Sequence, residues 1–102
     1  MGLGNIMKQA QKMQAKMAEM QEKLKDEELE ASAGGGTVKV TITGDLQVKS
    51  ITIDPTAVDP DDVELLQDMT TAAVNEAIRS AQELQQRRMA DITGGMSIPG
   101  MM

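Results

Sequence analysis

The sequence predicts an α+β fold in the order helix, three strands, helix. Three observations predict it. Apolar residues between Leu3 and Leu24 recur at alternating spacings of three and four, which is a helical seam. Residues 37–43 alternate polar with apolar, which is the period of a half-buried strand. Residues 59–64 gather Asp, Pro and Glu ahead of a second helical stripe.

The first helix is expected over residues 5–27. Leu3, Ile6, Ala10, Met13, Met17, Met20 and Leu24 form a heptad seam. Asn5 can cap it, and the Lys, Gln and Glu between seam positions are good helix formers. Such a helix is about 33 Å long, too long for so small a domain to cover. Residues 28–33 alternate polar with apolar and form a first strand. Gly34-Gly35-Gly36 breaks the chain, and the second strand runs over 37–43 with Val38, Val40 and Ile42 on one face. The third strand spans 47–54. Its apolar parity switches between Val48 and Ile51. Pairing Val40 with Ile51 and Val38 with Ile53 aligns the apolar faces of an antiparallel hairpin, so that one face is buried. It calls for a four-residue loop, Gly44–Gln47, or a bulge.

The second helix is expected over 60–92. Asp59 caps it, Pro60 takes the first helical position, and Asp61, Asp62 and Glu64 suit the positive end of the dipole. Val63, Leu66, Met69, Ala73, Ala77, Ala81 and Leu84 make its apolar stripe, with alanines small enough for close approach to a sheet. Gly94-Gly95 stops it. Residues 1–93 then form a single domain, and 94–102 a flexible tail.

The composition removes whole classes of function. The 102 residues include no His, Cys, Phe, Tyr or Trp. No imidazole base, thiolate or His-oriented serine can be assembled, so the chain is read as not an enzyme. Zinc sites built mainly from Cys and His are excluded, and no cofactor or metal is expected. Base stacking on aromatic rings is excluded too. Ten methionines fill the place of aromatic residues and pack adaptably. A core this thin favours oligomerisation. No apolar stretch suits a signal peptide or a membrane span, so a cytoplasmic protein with no membrane partner is expected.

The net charge is −6, but it is unevenly spread. Residues 1–25 hold Lys8, Lys12, Lys16, Lys23 and Lys25 against only Glu19 and Glu22. Residues 54–76 hold seven carboxylates and no base. An anionic partner would touch the ends of the chain, not its middle.

Several features have ordinary explanations. The tri-glycine run enters a strand, whereas a phosphate-binding loop opens a helix with Lys-Ser/Thr; it is a turn. Asp54, Asp59, Asp61, Asp62 and Glu64 lack the spacing of a calcium loop and are explained by capping. The Met seam is ordinary helix packing before it is a groove for target helices. Lys8, Lys12 and Lys16 differ from these. At four-residue spacing they form one ridge, off the seam. A solvated face explains such a ridge, and so does a surface that contacts phosphates.

The run Asn5-Ile6-Met7-Lys8-Gln9-Ala10-Gln11-Lys12-Met13-Gln14 resembles the opening of the YbaB/EbfC nucleoid-associated proteins. So do Gly34–Val40, Ile51-Thr52-Ile53-Asp54-Pro55 and the segment Met89–Pro99. The resemblance covers nearly the whole chain in order. It implies a small bacterial protein of the cytoplasm and nucleoid, a tweezer-like homodimer with the sheet at its centre, and binding of double-stranded DNA through the terminal helices. Lys8 and Lys12 lie within the matching motif. Lys16 extends their ridge by helical spacing, and Arg79, Arg87 and Arg88 are added from charge toward the end of the second helix. No small-molecule substrate is expected. The expected function is non-enzymatic DNA binding, mainly through phosphates, with nucleoid organisation or an influence on gene expression as its outcome. A protein–protein adaptor built on the Met-rich helix is the alternative.

Overall fold

The computed structural model describes residues 2–94. Helix α1 spans Leu3–Asp26, strands β1, β2 and β3 span Glu28–Ala33, Val38–Thr43 and Val48–Ile53, and helix α2 spans Val63–Gly94. The sheet is antiparallel throughout, with β2 in the centre. The expected fold is the one found.

The hairpin register follows the apolar pattern. Val40 pairs with Ile51 and Val38 with Ile53. The ladder then shifts: Thr41 faces Ser50, but Ile42 faces Val48, so Lys49 is the extra residue of a bulge. Both devices read from the sequence are present, because Gly44–Gln47 also forms the loop. Thr43 closes it. Its backbone N–H donates to Gln47 O at 2.9 Å, and its buried hydroxyl accepts from Gln47 N–H at 3.1 Å. The glycine run makes the β1–β2 turn. All three glycines adopt φ between 63° and 94°, the region a side chain disfavours, and a Cβ on Gly34 would overlap Met69 Sδ.

The core is one layer of helix on sheet. Ala73, Ala77 and Ala81 lie at four-residue spacing on α2 and are fully buried against Ala31, Val38, Val40 and Ile42. Alanine lets the helix axis approach, and the branched strand residues fill the gap. Burying each of the three large strand residues contributes about 1.5–3 kcal/mol.

Several boundaries and one face differ from the sequence reading: the end of α1, the start of β2 and both ends of β3 by one residue each, and the remaining helix ends by two or three. α1 begins at Leu3, not residue 5; Gly2 precedes it with no side-chain cap, and Asn5 lies within the first turn, its N–H donating to Gly2 O at 3.1 Å. The second helix begins at Val63, not residue 60. Asp59 accepts from Asp61 N–H at 2.9 Å and so closes a turn of its own, while Asp62 accepts from Leu65 N–H at 3.3 Å and caps the helix. α2 reaches Gly94, beyond the expected 92, so the first glycine of the expected stop is still helical; Gly95 and the rest of the expected tail lie outside the described residues. The face is β3. Ile51 and Ile53 share a side with Val40 and Val38, yet they are 45% and 37% exposed. α2 lies over β1 and β2 and leaves β3 uncovered. Val63, the first residue of the expected stripe, is also exposed.

Candidate nucleic-acid interface

Of the basic residues, Lys8, Lys12 and Lys16 lie on α1 and Arg87 and Arg88 near the end of α2, while Arg79 lies in the middle of α2 and Lys39 and Lys49 on the sheet. Among the described residues α1 is anchored at its C-terminal end. Leu24 is buried, packed where Gly44 leaves room for it. Gly44 N–H donates to Glu27 O at 2.9 Å, and Gln85 Nε2 donates to Gly44 O at 2.8 Å. These bonds tie the α1–β1 junction, the hairpin loop and α2 together. Arg88 adds an ion pair with Glu27 across that junction. Its guanidinium holds the Glu27 carboxyl below the usual carboxylate range, and Glu27 in turn raises the pKa of Arg88.

Away from this anchor the helix emerges. Met13, Met17 and Met20 are half-buried, whereas residues 3–12 are exposed throughout. The molecule is accordingly long and thin, 71 × 27 × 16 Å. The projecting part of α1 is an arm.

The six basic residues expected to meet DNA fall into two groups. Lys8, Lys12 and Lys16 are exposed along the arm, about 6 Å apart in rise, and make no ion pair among the described residues. The glutamates of α1 are engaged further along: Glu19 with Lys23 at 3.2 Å and Glu22 with Lys25 at 3.3 Å. Arg87 is exposed and also lacks an ion pair among the described residues. Arg79 and Arg88 differ. Arg79 bonds Glu76 on one side and Glu83 on the other, which raises its pKa and lowers that of Glu76. Arg88 bonds Glu27 and approaches Asp91 at 3.9 Å. Both guanidiniums are already neutralised locally.

Sequence reasoning missed the Glu27–Arg88 pair. Its partners lie 61 residues apart, and no local pattern joins them. The partners of Arg79, three before and four after it, are visible in the sequence.

The acidic middle is occupied with backbone caps. Asp54 accepts from the Thr56 N–H at 3.0 Å and hydroxyl at 2.8 Å, which lowers its pKa. Asp59 and Asp62 cap as described above. Among the described residues no group of three or more His, Cys, Asp or Glu could hold a metal ion. No helix among them is long and apolar enough to cross a membrane. The carboxylates gather around the start of α2, and the lysine ridge lies on the arm that meets α2 near its other end.

The fold matches the crystal structure of an uncharacterized protein from Helicobacter pylori with a TM-score of 0.82, covering 92% of this chain and 99% of that one at 22% identity. Closer in sequence are proteins named nucleoid-associated. One from Moorella thermoacetica is 56% identical over 98% of this chain and 99% of its own length. One from Acetivibrio thermocellus is 55% identical over 97% and 88%. One from Alkaliphilus metalliredigens is 52% identical over 97% and 87%. The model of the YbaB/EbfC DNA-binding family matches residues 1–96. With that match across nearly its whole length, the chain belongs to the YbaB/EbfC DNA-binding family.

Proposed function

We propose that the chain is a non-enzymatic, nucleoid-associated DNA-binding protein that grips duplex DNA by its phosphates with the lysine ridge of α1. Its partners are DNA and a second copy of itself, and its place is the cytoplasm and nucleoid. The single observation that carries the reading is the state of Lys8, Lys12 and Lys16. They are exposed on a projecting arm and lack ion pairs among the described residues, in a chain with many more carboxylates than cations. Ammonium groups left without carboxylate partners are free to replace counterions on a phosphate backbone. Arg87 adds charge near the arm's base. Arg79 and Arg88 contribute little, because phosphate would have to displace carboxylates that already hold them.

The uncovered side of β3 supports the homodimer. Val48, Ile51 and Ile53 present branched apolar surface continuous with the core. A second copy laid on it would bury that surface and set two arms on one particle. Contacts of this kind position a protein without reading bases, so binding is expected to be tolerant of sequence. Through it the chain would organise the nucleoid and influence gene expression.

Fluorescence anisotropy with unrelated duplexes across a salt series tests the reading. Each lost phosphate contact flattens the slope of log affinity against log salt by about 0.9. The variant Lys8→Gln/Lys12→Gln/Lys16→Gln therefore flattens it by about 2.7 for one arm. Between 50 and 200 mM salt the native chain then loses roughly forty-fold more affinity than the variant. An unchanged slope and affinity would remove the lysines from the interface.

A further inference from the structure

Among the described residues nothing covers the first part of the α1 seam. Leu3 and Ile6 are 75% and 65% exposed, although with Ala10, Met13, Met17 and Met20 they form one continuous heptad stripe. Scattered apolar side chains on a surface are ordinary; an uninterrupted stripe on a projecting helix marks a contact. At the far end of the same stripe an open groove lies between Met20 of α1 and Ile92 of α2, with Lys16, Lys23 and Arg88 among its rim.

The stripe is complementary to its own reverse. Positions 3 and 20, 6 and 17, and 10 and 13 are equidistant from a point between Gln11 and Lys12. Two α1 helices laid antiparallel about that point set Leu3 against Met20, Ile6 against Met17, and small Ala10 against large Met13. Large against small is how facing layers interdigitate. A parallel pair in register would set Ala10 on Ala10 and leave a void.

Charge agrees. In the antiparallel pair Lys8 lies opposite Ala15, Lys12 opposite Gln11, Lys16 opposite Met7, and Glu19 opposite Gly4. No like charges meet. Lys8 and Lys12 occupy outer positions of the heptad, so the pairing leaves them facing away from the seam.

We propose that α1 is a self-association surface on which two copies pair antiparallel, Leu3 of each seated in the Met20–Ile92 groove of the other. The occupant is a second copy because the spacing of the stripe is symmetric about its midpoint and no like charges meet across the pair, as a twofold contact allows. This contact is separate from the pairing through β3 and does not need DNA. It joins particles arm to arm with Lys8 and Lys12 outward and Lys16 at the edge of the contact. Linked binding units hold a polymer more tightly than single ones through effective concentration.

Sedimentation over a concentration series, without DNA, tests it against the variant Leu3→Gln/Ile6→Gln. Circular dichroism first establishes that the variant keeps its helix content. The native chain is expected to reach at least twice the mass of the variant at high concentration. One chain is 11.0 kDa, so a variant at that mass removes the β3 pairing and the native ratio is then twofold; a variant at twice that mass keeps it, and because each particle then carries two arms the native chain reaches at least twice the variant's mass. Equal masses for the two proteins overturn the proposal, including the case in which the stripe serves a foreign helix. The chain has no cysteine, so thiols report orientation cleanly. An equimolar mixture of the Ala10→Cys and Met13→Cys chains, left in a redox buffer, is expected to form mainly the mixed disulfide. Predominance of the two like-with-like disulfides indicates a parallel pair and overturns the geometry.

Discussion

Replacing Gly44 by alanine should loosen the arm without touching it. Gly44 lies outside the left-handed region, since only Gly34, Gly35 and Gly36 have positive φ among the described glycines. Alanine therefore meets no backbone penalty there, and its effect is steric. The new Cβ would sit 2.7 Å from Leu24 Cδ2, 2.9 Å from Leu24 O and 3.2 Å from Leu24 Cβ. A side-chain rotation can relieve the first contact. It cannot relieve the second, because a backbone oxygen moves only with the end of α1. Overpacking of this kind costs about 1–3 kcal/mol. In a domain of this size each kcal/mol lowers the melting temperature by about 4–8 °C. The variant should therefore melt about 4–24 °C below the native chain by circular dichroism at 222 nm. Leu24→Ala in the same background should cost less than it does alone, because it removes part of the clash, and neighbouring sites couple by at least about 0.5 kcal/mol. A Gly44→Ala protein that melts with the native chain would mean that α1 does not dock where Leu24 and Gly44 place it.

Two further outcomes follow from the ion pairs. Arg88 depresses the Glu27 pKa, so the pair's stabilisation is present above the ordinary carboxylate range and fades as pH falls through the lowered folded-state value. Glu27→Gln should thus melt below the native chain at neutral pH, with the gap closing toward pH 3; a gap that is constant or widens on acidification contradicts the pair's role. Arg79→Gln should leave the salt slope of DNA binding unchanged, because Glu76 and Glu83 already hold that guanidinium; a slope flattened by about 0.9 would place Arg79 on a phosphate.

The legible and illegible parts of the molecule divide by range. Element order came from local periodicity, and the β2–β3 register came from the parity of Val38, Val40, Ile51 and Ile53, because a slip by one residue would turn every apolar side chain over. The start of α2 was misplaced by three residues because Asp59-Pro60 and Asp62 both carry cap chemistry; only the turn closed by Asp59 separates them. The exposure of Ile51 and Ile53 was not legible, since alternation tells which side of a strand is apolar and not what lies over it. The lysine ridge was legible from four-residue spacing. That Arg88 is spent on Glu27 was not, for that contact is made by the tertiary fold.

The most direct measurement is lysine footprinting: acetylation rates of individual lysines, read by mass spectrometry with and without duplex DNA at low salt. Lys8, Lys12 and Lys16 should be protected, while Lys39 and Lys49 on the sheet keep their free rates. Protection of the sheet lysines with the arm still reactive, or no protection at saturating DNA, contradicts an interface on α1.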